Sequence, residues 1–129
     1  MNSRGNVNKM TKTPVALYRR GNANSPKMDN VRPNDITVYE QQGELWVMLT
    51  LEAERLPEER SRPEGISTFD TPGSGKNWYK LDLGTDIPPE LELVNDRPGH
   101  WLFQPSRPMT LEKYKEALRL IGTLFHKLE

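Results

Sequence analysis

From Leu111 onward, apolar side chains fall three and four apart, at Leu111, Tyr114, Leu118, Ile121, Phe125 and Leu128, with Glu112, Lys113, Lys115, Glu116, Arg119 and Lys127 mainly between them. That spacing puts the apolar set on one face of an α-helix. Thr110 suits its N-cap, Glu112 its first-turn dipole, and His126 with Lys127 its carbonyl end. The stripe also fits a coiled coil, but a lone helix of this length more often packs on its own sheet.

Upstream the period drops to two. "PVALYRRG" places Val15, Leu17 and Arg19 on one side of an extended segment and Ala16, Tyr18 and Arg20 on the other, ending at Gly21. "DITVYEQQGELWVMLTLEA" carries two β-branched and aromatic runs and predicts a hairpin bending near Gly43, with Leu45 to Leu49 as its second arm or, alternatively, the start of a helix through "LTLEAERL". Short strand patterns follow in "GISTFD", "WYKLDL", "ELELV" and "HWLFQ", separated by the turn-rich "TPGSGKN" and by prolines at 88, 89, 98, 105 and 108. Proline cannot donate to a ladder and restrains the residue before it, so these strands are bounded. "ANSPKMDNVRPND" and "PEERSRPEG" predict loops. The expected fold is therefore α+β: several short strands and one C-terminal amphipathic helix. Residues 1–13, polar and rich in asparagine, are expected to be a flexible arm before a single domain over residues 14–129.

Composition narrows the function classes. Eighteen basic and eighteen acidic residues cancel, which removes the excess positive charge of a general nucleic-acid or anionic-membrane binder. With no cysteine there is no disulfide frame, thiolate nucleophile or sulfur-ligated zinc, which suits a reducing cytoplasm. Hydrophobic residues make up 34% of the chain and no stretch is long enough for a membrane span; the N-terminal sequence lacks the apolar centre of a secretory signal. A cytoplasmic location is expected, and delivery by a signal-independent machine is compatible with it.

The candidate motifs are mostly weak. "DTPGSGKN" would be a phosphate loop only with glycine at Asp70 and serine or threonine at Asn77, so a turn is expected. Asp82 and Asp86 flank a turn without a third ligand at calcium-loop spacing, and no metal is assigned. Ser67 lacks a Gly-x-Ser-x-Gly setting, and two residue types, Ser67 and His100, establish no hydrolase triad. His100 with Lys76 or an arginine would also serve an RNA-cleaving toxin.

"ALYRRG", "GISTFD" and above all "GTDIPPELELVND…HWLFQPSRPM" resemble, in this order, the second effector class of the bacterial type VI secretion system, the Tse2-type toxins with an ADP-ribosyltransferase-like fold. The resemblance implies a split, twisted β-sheet that grips NAD as substrate, toxicity in a recipient cytoplasm, an immunity protein or antitoxin as partner, and an unknown macromolecular acceptor. It puts Arg19 at a phosphate or ribose edge with Tyr18 beside it, Ser67 and Thr68 at the nicotinamide ribose, Phe69 against a flat ring, and His100 and Gln104 in the third element. Most ADP-ribosyltransferases carry a glutamate there. Gln104 orients a hydroxyl but cannot deprotonate an acceptor, so His100 is the candidate base. Transfer, NAD hydrolysis, and binding with little turnover all stay open, as does a non-enzymatic interaction module with the same fold.

Overall fold

The computed structural model describes residues 10–50 and 63–128. Residues 1–9 of the expected arm, the helix alternative through residues 51–56 and most of the charged loop before Gly65 lie outside the described residues. The chain forms β1 (Leu17–Arg20), β2 (Val38–Gln41), β3 (Glu44–Val47), β4 (Ile66–Phe69), β5 (Trp78–Leu81), β6 (Leu91–Arg97), β7 (His100–Pro105), β8 (Met109–Thr110), α1 (Leu111–Gly122) and β9 (His126–Lys127). One six-stranded sheet runs β6-β7-β4-β1-β5-β9 and a three-stranded sheet runs β2-β3-β8. Every pairing is antiparallel, and α1 completes the expected α+β class.

The alternation seen in the sequence sorts the large sheet into two faces. Leu17 lies opposite Leu81, and Ile66 and Leu93 lie opposite Phe103. These side chains are buried in one cluster with Tyr114, Leu118 and Ile121 of α1, Val47 and Met109 of the small sheet, and Met28 and Ile36 of the connecting segment. The other face carries a row formed by Lys80, Tyr18, Phe69 and His100, each opposite the next on β5, β1, β4 and β7. Burying such a cluster contributes roughly 25 cal/mol per Å² of apolar surface, which explains why α1 holds on despite its modest length.

Helix α1 begins as expected, with the Thr110 hydroxyl accepting from Lys113 N. It stops earlier than the periodicity predicts. Thr123 caps it at Gly122, whose Cα approaches Met28 so closely that an added Cβ would stand 3.3 Å from the Met28 Cβ. His126 and Lys127 therefore do not decorate the helix end; they form β9 beside Tyr79 and Lys80. Phe125 still reaches the core, from a turn rather than from a helical face.

The inner end of the expected arm is tied down. Thr13 is buried, its backbone N–H donates to Thr85 O and its hydroxyl to Asp82 O, while Ile87 N donates to Thr11 O. Residues 11–13 are therefore held against the 82–87 segment.

Candidate functional site at the β1–β4 seam

Strand β4 meets β7 along its whole length, from Ile66 opposite Phe103 to Phe69 opposite His100. It meets β1 only where Tyr18 stands opposite Phe69. Beyond that pair the two strands part, and the backbone oxygen of Ser67 is left without a β1 partner. Arg19 fills the gap. Its Nη1 donates to Ser67 O at 2.7 Å, its Nε to Pro26 O at 2.9 Å and its Nη2 to Lys27 O at 3.1 Å. A planar fork spreads its donors over three nitrogens and so reaches three separate carbonyls, whereas the three donors of an ammonium share one nitrogen. Burial pushes the Arg19 guanidinium below its usual pKa, and the neighbouring Asp35 carboxylate opposes that shift.

An open groove of about 520 Å³ lies along this seam, lined by Arg19, Arg20, Lys27, Arg32, Ser67 and Phe69 among others. Four cationic residues line it although the chain as a whole is neutral. Arg32 forms a two-pronged pair with Asp35, Nε to Oδ2 at 3.1 Å and Nη2 to Oδ1 at 3.2 Å, and this hydrogen bonding raises the Arg32 pKa. Arg20 turns the other way, donating from Nε to Lys76 O. It packs under Gly75, where φ is +92° and a Cβ would fall 2.5 Å from the guanidinium. "DTPGSGKN" is thus a turn moulded on Arg20. Such a concentration of guanidinium and ammonium groups suits a phosphate-bearing ligand.

Ser67 shares its face with Phe69 and, across the ladder, with His100. The Ser67 hydroxyl lies 3.0 Å from His100 Nε2, and His100 Nδ1 lies 2.6 Å from Asp96 Oδ1. With a carboxylate at Nδ1, the neutral imidazole carries its proton there and leaves Nε2 to accept from the serine. The His100 side chain is only 4% exposed, and the Phe69 ring lies against it with centroids 5.3 Å apart.

Asp96 escaped the sequence reading, for a definite reason. Pro98 and Gly99 form the bend of the β6–β7 hairpin, with Gly99 at φ +79°, and Arg97 stands opposite His100. In a regular ladder Asp96 would then stand opposite Trp101 and point to the inner face. Instead Asn95 takes that place and Asp96 is the extra residue of a β-bulge. Asn95 Nδ2 holds the distortion by donating to both Arg97 O and His100 O at 2.8 Å. A carboxylate four residues before the histidine, next to Pro-Gly, was the available signal.

The remaining expected site residues divide. Tyr18 stands directly beside Phe69. Gln104 lies on the same face as His100, next to Gly65, and is the second diagonal neighbour of Ser67. Thr68 turns away: it is fully buried on the inner face and its hydroxyl donates to Trp101 O at 3.1 Å. Trp101, next to His100 on β7 but on its opposite face, packs against the core and donates from Nε1 to Asp70 Oδ2. Asp82 and Asp86 are engaged with His126 and Lys12 respectively.

The sequence profile of the Tse2 ADP-ribosyltransferase toxin family matches residues 7–128. The chain belongs to that family. No curated protein and no solved structure matches it. In this Tse2-family toxin the Arg19 guanidinium meets the backbone oxygen of Ser67, and the Ser67 hydroxyl meets the His100 ring. Among the described residues, no helix is long and apolar enough to cross a membrane.

Proposed function

We propose that this toxin binds NAD in the seam groove and breaks its nicotinamide–ribose bond, passing ADP-ribose to a macromolecular acceptor or to water. The observation that carries this reading is the clamp of Arg19 on Ser67 O, which sets a cationic groove against Ser67, whose hydroxyl reaches the His100 ring. Lys27, Arg32 and the remaining N–H groups of Arg19 face the pyrophosphate, where planar donors and point charges both gain. Tyr18 and Phe69 supply flat faces for the nicotinamide. Ser67 and Gln104 hold the ribose hydroxyls, and His100 manages protons. Thr68 supports the strand from behind. Bond cleavage develops oxocarbenium character, so fixing the ribose in place is a large part of what the site must do.

Family membership supports delivery into a recipient cytoplasm by a type VI machine and restraint by an immunity protein in the producer. A protein that occludes the seam would meet its cations with acidic residues.

A second reading, a non-enzymatic module acting through a protein partner, is favoured by Gln104 standing where most ADP-ribosyltransferases carry a glutamate. Titration of the purified protein with NAD, followed by measurement of nicotinamide release, separates the two. Binding with release supports the NAD reading, and absence of binding refutes it in favour of the interaction module.

A further inference from the structure

A serine whose task is to orient a ribose needs one hydrogen bond. Ser67 has more behind it than that. Its hydroxyl lies 3.0 Å from His100 Nε2, and the far nitrogen of the same ring lies 2.6 Å from Asp96 Oδ1. The imidazole is buried, flanked by Phe69 and aimed by a carboxylate that a dedicated bulge brings round to it. A hydroxyl, a base within hydrogen-bond reach and a third group orienting that base are the parts of an activated nucleophile, whatever the fold that presents them. Ser67 also lines the cationic groove, so the hydroxyl stands at the edge of the space a dinucleotide would fill. In the third element the carboxylate usual for this chemistry is replaced by Gln104, which cannot act as a base.

We infer that Ser67 is a nucleophile that takes the ADP-ribosyl group onto its own Oγ, with His100 as its base and Asp96 as the positioning residue. The inference rests on the NAD reading above. In the first step the Ser67 Oγ forms a bond to the ribose C1″ as the C1″–nitrogen bond to nicotinamide breaks. The bonding pair neutralises the pyridinium, and nicotinamide leaves without needing a proton. The serine proton passes to His100 Nε2, and Asp96 stabilises the imidazolium at Nδ1. In the second step water, or an acceptor hydroxyl, attacks C1″ and releases its own proton to solvent. His100 returns its proton to Oγ as the C1″–Oγ bond breaks. The sum is NAD plus water giving ADP-ribose, nicotinamide and one proton.

The test uses the full chain and NAD labelled in its ADP-ribose half, quenched in acid within the first turnover and read by intact mass and peptide mapping. One ADP-ribosyl group is expected on the peptide containing Ser67, in a linkage that survives neutral hydroxylamine, unlike an ester to a carboxylate. Ser67→Ala loses the adduct and slows nicotinamide release by about 100-fold or more. Its NAD affinity falls far less than its release rate, because Arg19 grips the backbone oxygen of residue 67 and not its side chain. Asp96→Asn slows adduct formation by about 100-fold or more at unchanged NAD affinity, and Asp96→Glu restores part of the rate. Nicotinamide release without any serine adduct in the wild type, or at the wild-type rate in Ser67→Ala, overturns the nucleophile and leaves the NAD reading standing. Neither binding nor release in the wild type overturns both. The wild-type mass measurement requires no variant to fold.

Discussion

Strand β4 has two neighbours and joins them in different ways. Toward β7 the ladder is continuous and its inner face is apolar, with Ile66 against Phe103 and Leu93 beyond. Toward β1 the ladder ends after Tyr18 opposite Phe69, and a buried guanidinium replaces the missing backbone pairing. One junction is held by a continuous ladder over apolar burial, the other by a charge-assisted bond to Ser67 O from a guanidinium whose two further bonds tie in Pro26 and Lys27. A sheet that was ladder-bonded throughout would have neither a groove nor free donors. The proposed function places the chemistry where regular pairing is given up and a single side chain bridges the strands.

That contrast can be broken most sharply at the apolar junction. Phe103→Ala should cost about 4 kcal/mol of stability, through lost burial and a residual cavity, measured by urea unfolding. A cost smaller than that of the seam variant would reverse the ranking of the two junctions. At the seam, Arg19→Lys should cost about 2 kcal/mol, because one ammonium leaves carbonyls of Pro26, Ser67 and Lys27 short of donors. The same variant should lower NAD affinity tenfold or more, by about 1.4 kcal/mol, in an equilibrium titration.

A third variant sharpens the comparison through pH. Tyr114 donates its hydroxyl to Phe103 O at 2.7 Å from within the core, and burial, with the Asp35 charge second, holds its pKa far above the ordinary phenol value of 10.0. A raised folded-state value means that this contribution to stability is complete below about pH 10 and is lost as pH rises from there toward the folded value. Tyr114→Phe should cost about 1 kcal/mol at neutral pH and flatten the alkaline limb of the stability profile. An unchanged alkaline slope would locate that titration elsewhere. The smallest effect is expected from Thr68→Val, which removes the bond to Trp101 O, costs about 1 kcal/mol or less, and leaves NAD affinity as it was. A marked loss of NAD binding would return Thr68 to the site.

Much of this arrangement was legible in the chain. Alternation in "LYRR" separated Arg19 from Tyr18, and alternation in "HWLFQ" separated His100 from Trp101, because a half-buried strand has a period of two. The same rule, applied to "ISTF", places Ser67 and Thr68 on opposite faces, which the motif taken as a unit concealed. Asp96 was hidden because its position depends on an irregularity in register that no period encodes. The helix end was misplaced because His126 and Lys127 are drawn into pairing with Lys80 and Tyr79 of β5, a partner remote in sequence. The two-residue strands β8 and β9 carry too few side chains to show a pattern and owe their form to their partners.

The single additional residue between Asn95 and Arg97 gives the hairpin an unusual vulnerability. With one position fewer there, β6 and β7 would fall back into uniform register, and the carboxylate would be removed or swung to the far side of the sheet. On the nucleophile inference, the shortened polypeptide would keep its core and leave the His100 imidazole without the group that aims it.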